Sequence, residues 1–207
     1  MLPTDTVLAL IVFGFVSSIT PGPNNLMLLA SGVNFGFRRT VPHMLGIGIG
    51  FVVMIILVGL GFGQLFARFP ALHVILKVIG TLYMLFLAWK LANGSGIGDS
   101  VRPKQPMTFL QAAAFQWVNP KAWAMAVTAI AAYTVPDQFL LSLLGIGLVF
   151  GAVNLPSVSI WALFGLALRR FLSNPQVIRW FNIAMAALLV LSLWPVAAEF
   201  WTYAINR

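Results

Sequence analysis

The sequence has 207 residues, of which 60% are hydrophobic and only 8% charged, and its mean hydropathy is +0.97. A soluble domain carries about a quarter of its residues as charges, so this composition excludes a water-soluble globule and implies a lipid-facing exterior. The formal charge of +8 raises a nucleic-acid partner, but Arg38–Arg39, Arg102, Lys104, Arg169–Arg170 and Arg179 sit in short gaps between apolar runs. That placement is a topology signal and argues against nucleic-acid binding. With no cysteine, disulfides, thiolate metal sites and thiol catalysis are excluded as well.

The N-terminus, MLPTDTV, carries Asp5 and no cationic region, so the first apolar run reads as a retained helix and not a cleaved signal. A membrane span needs about 20 apolar residues. Six stretches reach that length, near 6–31, 41–66, 71–91, 109–133, 138–167 and 178–203. The expected fold is an all-α integral membrane protein, one domain over 1–207. A polar loop at about 93–108 separates a first repeat at 1–92 from a second at 109–207.

The first span is interrupted by Thr20-Pro21-Gly22-Pro23-Asn24-Asn25. Pro21 and Pro23 have no N–H, which leaves the carbonyls of Ser17 and Ile19 without helical partners, and the residues before them are pushed out of the helical region. Opened backbone at membrane depth survives only where protein or water satisfies it. In the second span, His43 beside Pro42 reads as an interfacial group, and His73 opens the third in the same way. The pairs Gly46/Gly50, Gly59/Gly63 and Gly147/Gly151 place small residues four apart for close helix packing, which permits a homodimer.

The fourth span contains Asn119-Pro120-Lys121. Pro120 frees the carbonyl of Gln116, and a lysine near mid-span costs about 2.5–3.5 kcal/mol on insertion scales. No Asp or Glu lies centrally in any span, so a substrate carboxylate is the expected partner of Lys121. Trp117 and Trp123 flank this break and suit either a cavity wall or packing. Trp89, Trp180, Trp194 and Trp201 lie near span ends as interface anchors.

Orientation follows from the basic residues. With the N-terminus outside, Arg38, Arg39, Lys90, Arg102, Lys104, Arg169, Arg170 and Arg179 fall in the cytoplasm, against Arg68 and Arg207 outside and Lys77 nearby. Both termini are therefore expected on the periplasmic or extracellular face.

Shifting the sequence by 99 residues aligns Pro21 with Pro120, Ala30 with Ala129, Leu45-Gly46-Ile47-Gly48 with Leu144-Gly145-Ile146-Gly147, and Phe51 with Phe150. Each half holds three spans, so the second enters the membrane from the opposite side. Such inverted repeats, with broken helices at a midplane site, are typical of secondary transporters.

TPGPNN at 20–25, GFR at 36–38, LGIGIG at 45–50 and NPKAW at 119–123 resemble the LysE/RhtB family of bacterial amino-acid exporters over nearly the whole chain. The TPGPNN form is most similar to the branch exporting cysteine and O-acetylserine. The resemblance implies proton-coupled efflux of an amino acid across the bacterial inner membrane, with no cofactor and no metal.

Members with an acid in the fifth span have a partner for a proton or an extra ammonium. Here Asn154 stands in that region, which points to a small neutral substrate of the cysteine, O-acetylserine, homoserine or threonine class. In the expected site Lys121 holds the substrate carboxylate. Thr20, Pro21, Gly22, Pro23, Asn24, Asn25, Asn119 and Pro120 shape the opened backbone for its ammonium and side chain. An intramembrane enzyme would need paired carboxylates, a histidine cluster or a nucleophile with its base, and the spans hold none. A passive channel, or an ion or metal exporter on a related scaffold, is the alternative.

Overall fold

The computed structural model describes residues 4–62, 64, 68–93, 105–172 and 174–198. Within them the chain forms α1 (Thr4–Ile19), α2 (Pro23–Phe35), α3 (Phe37–Leu57), α4 (Pro70–Ala92), α5 (Phe109–Phe115), α6 (Pro120–Tyr133), α7 (Phe139–Leu168) and α8 (Pro175–Leu191). A π-helical turn, Val58–Phe62, follows α3, and a 3₁₀ turn, Gln116–Val118, follows α5.

Proline sets the starts. Pro23, Pro70, Pro120 and Pro175 each stand at the head of a helix, where the missing N–H has no intrahelical role and the fixed φ favours the first turn. Asn119 and Asn174 then cap α6 and α8, accepting from the amides of Lys121 and Gln176. Thr108 and Gln111 close a reciprocal capping box on α5, satisfying two free amides at once.

Four helical stretches are long and apolar enough to cross a membrane: Phe37–Phe62, Val74–Ala92, Pro136–Leu168 and Pro175–Ala198. A fifth is counted if α1 and α2, bent by 56° at their junction, form one broken span. The expected stretch 109–133 is present, but the break at Asn119 divides it into α5 and α6, neither long enough alone. The stretch 138–167 had room for a break and has none. α7 runs unbroken for 30 residues past Pro156, a length of about 45 Å, which exceeds a hydrocarbon core of about 30 Å.

α2 is the centre of the molecule, with every residue from Asn25 to Val33 buried. It packs against α7, α3 and α8, while α1 lies on α7 and α4 on α8. Glycine sets the closest crossings. A Cβ at Gly32 would overlap the carbonyl oxygen of Ala162, and one at Gly165 that of Leu29. Gly46 and Gly50 lie against the Phe109 carbonyl and the Ala113 backbone, so that expected pair does bring α3 and α5 together. Gly147 and Gly151 meet only side-chain ends of Ile56 and Val52, and Gly63 lies outside the described residues.

Gly32→Ala should lower the thermal midpoint of the detergent-solubilised protein, with an overpacking cost of about 1–3 kcal/mol. Gly151→Ala should leave that midpoint nearly unchanged. Equal midpoints for the two variants would contradict the α2–α7 packing.

Candidate functional site

The break between α1 and α2 opens carbonyls at the C-terminal end of α1, and the fold supplies a donor to each. Thr20 Oγ1 donates to Ser17 O at 3.1 Å. Asn25 Nδ2 donates to Ser18 O and to Thr20 O, both at 2.8 Å. Trp161 Nε1 on α7 donates to Ile19 O at 3.0 Å. The two carbonyls expected to lose partners, those of Ser17 and Ile19, are thus served by side chains.

Lys121 closes the remaining gap. From the first turn of α6 its Nζ donates to Thr20 O at 2.6 Å, to Thr20 Oγ1 at 2.9 Å and to Pro21 O at 3.3 Å. All three donor directions of the ammonium face oxygens of the opened backbone. The cation also meets the negative end of the α1 dipole, which favours it without a carboxylate. Its stem crosses Gly22, whose backbone is extended (φ −178°). A Cβ there would come within 2.7 Å of Lys121 Cδ.

The second break is tighter. Pro120 denies Gln116 O its usual partner, and the amide of Asn119 takes that place at 3.3 Å, forming the 3₁₀ turn. The Gln116 side chain is fully buried. It pairs reciprocally with Asn24, with Asn24 Nδ2 to Gln116 Oε1 at 2.9 Å and Gln116 Nε2 to Asn24 Oδ1 at 3.3 Å. The two breaks are therefore joined twice, by Lys121 and by this amide pair.

Between them lies a small cavity of about 20 Å³. Of the expected residues, Gly22, Asn24, Asn25, Asn119, Lys121 and Asn154 line it. Thr20 and Pro21 hold Lys121 beside it, and Pro23 and Pro120 head the helices that frame it. Asn154 reaches from α7 to donate to Ser18 Oγ at 3.0 Å, and its own Oδ1 is buried without a partner.

Sequence reading missed Gln116 and Ser18 as lining side chains. A glutamine four residues before a membrane proline, in an otherwise apolar run, was the available signal for the first. Trp117 and Trp123 pack on one another, their ring centroids 6.0 Å apart, and are not among the lining residues. His43, expected near the headgroups, is only 1% exposed, packed within the protein. Among the described residues no three His, Cys, Asp or Glu side chains gather as a metal site.

A cation on an opened helix end thus lies beside amides and a cavity in an apolar bundle. The model of the LysE type translocator family matches residues 15–201. The chain belongs to the LysE family of translocators.

As a LysE-family member with these apolar helices, it is a multi-pass membrane protein. It is similar to a protein of Escherichia coli (strain K12) named cysteine/O-acetylserine efflux protein, 32% identical over 190 residues, covering 90% of this chain and 95% of that one. A protein of Salmonella typhi with the same name is 32% identical over 180 residues, 86% of this chain and 90% of the relative. No solved structure matches the chain at a significant level.

Asn25→Leu removes two hydrogen bonds, leaving Ser18 O unpaired at a cost of about 1–3 kcal/mol and Thr20 O with Lys121 alone. It should lower the thermal midpoint more than Trp161→Phe, which removes one. A larger loss for Trp161→Phe would contradict this allocation of donors.

Proposed function

We propose that this LysE-family protein exports a small neutral amino acid, of the cysteine, O-acetylserine, homoserine or threonine class, from the cytoplasm of a bacterium. In this reading it is a proton-coupled carrier in the inner membrane with both termini outside. It has six spans in two inverted repeats, α1–α2 forming the first and α5–α6 the fourth. The relatives' printed names support export, and the placement of most basic residues in the loops read as cytoplasmic supports the orientation.

The observation that carries the proposal is the seat of Lys121 Nζ on Thr20 O and Pro21 O. That seat is an ammonium site, held empty-handed by the protein's own lysine. A zwitterion replaces it atom for atom: the substrate ammonium takes the carbonyls at the negative end of α1, and Lys121 turns to the substrate carboxylate. The first turn of α6 adds its positive end to the lysine. Charge in the site then changes by nothing overall, which suits a substrate of zero net charge. A substrate with a second ammonium would find no acid at Asn154 to receive it.

The repeat reading has support in contact pattern. Gly22 and Lys121 are 99 residues apart, as are Phe51 and Phe150. Gly22 lies under the Lys121 stem, and the Phe51 and Phe150 rings meet edge to face at 5.3 Å. Residues that touch their own repeat-mates lie beside a two-fold axis, and this axis would pass through the cavity. Substrate sites at such a repeat interface serve alternating access by rocking of one half against the other.

Lys121→Met should abolish export of O-acetylserine from loaded vesicles while the protein is inserted and monodisperse. The wild type should export faster under an imposed pH gradient than without one. Normal export by Lys121→Met would refute the assignment of Lys121.

A further inference from the structure

A second cavity, of about 110 Å³ against about 20 Å³ at the break, lies toward the other end of α2. The first is lined by Asn24 and Asn25, the second by Met27, Ser31 and Asn34. From Asn25 to Asn34 is about 13 Å along the helix. α2 is therefore a shared wall, and the two cavities are stacked on it.

The polar groups around the second cavity are almost all paired internally. Ser31 Oγ and Thr40 Oγ1 share a hydrogen bond at 2.8 Å, and Thr40 Oγ1 donates to Gly36 O at 2.9 Å. Asn34 Nδ2 donates to Ala30 O at 2.8 Å and to Asn182 Oδ1 at 3.0 Å. His43 stands apart. It is 1% exposed, forms part of the cavity wall, and neither ring nitrogen has a partner.

A buried unpaired group in a native fold calls for an occupant that pairs it. A neutral imidazole presents one donor and one acceptor. Acyl chains supply neither partner, and a halide or sulfate ion supplies only acceptors. A metal ion would want further ligands, and the described residues gather no set of three. A zwitterion supplies both partners in one small molecule. Lys90, on the exposed rim of the same cavity, faces its carboxylate, and the apolar wall at Met27 and Met107 receives its side chain.

We propose that this cavity is a second binding site for a small zwitterionic amino acid, holding the molecule on the basic side of the protein next to the site at the break. It rests on the export reading for the choice of ligand alone.

The test is equilibrium binding of radiolabelled O-acetylserine to the purified full chain in detergent. Two molecules are expected per wild-type chain and one for Lys121→Met. Met107→Trp, which fills the cavity from its edge, should also leave one, and the double variant none. Lys90→Gln, on the exposed rim and safe for folding, should weaken the second site about tenfold without moving the first.

His43→Phe should abolish the second site in protein that elutes as a single peak. One wild-type site, lost in Lys121→Met and indifferent to Met107→Trp and Lys90→Gln, would overturn the second site and leave the export reading standing. Two sites, neither touched by Lys121→Met, would overturn the site at the break instead. Occupancy by water alone would show as a wild type that binds one molecule.

Discussion

In hydrocarbon no carbonyl can turn to water, and the end of α1 exposes a row of them at once. The arrangement of the molecule's middle answers that requirement. Donors come from α1 itself (Thr20), from α2 (Asn25), from α6 (Lys121) and from α7 (Trp161). Thr20 O takes both Asn25 and Lys121, so the end of one broken helix fixes the beginning of another. Two proline breaks that would each be a weakness become mutual partners. The chain keeps its irregular backbone because each break supplies what the other lacks.

The same geometry explains how a lysine persists without an acid. Nζ finds two carbonyls and a hydroxyl, a ligand set that neutral oxygen atoms and the end of a helix dipole make favourable. Hydrogen bonds to neutral acceptors are weaker than a charge pair, so the seat holds the ammonium without locking it. A buried carboxylate there would bind the lysine more firmly and resist exchange. An acid-free site is the arrangement from which a cation can be released.

Much of this was legible in the sequence because proline acts locally. Pro21, Pro23 and Pro120 located both breaks, and Asn24, Asn25 and Asn119 named the amides beside them. What was hidden depends on pairing across long stretches of chain. Nothing local in Trp161 says that its indole reaches Ile19, and nothing in Gln116 names Asn24. Gly32 and Gly165 form a close crossing, yet nothing local in either names the other as its partner. His43 next to Pro42 looked like a boundary residue. α3 begins at Phe37, almost two turns earlier, and the imidazole is covered by the rest of the protein, which nothing beside it in the sequence announces.

The crossing of Gly32 with Gly165 also bears on how the chain is made. α2 is about 20 Å long, shorter than the bilayer core, and carries Asn24, Asn25, Ser31 and Asn34. Its cover, α7, is synthesised roughly 130 residues later, a delay on the order of ten seconds at cellular elongation rates. Through that interval α2 has no place of its own in lipid. Until α7 is made, the polar side chains of α2 lack the cover that the Gly32–Gly165 crossing gives them.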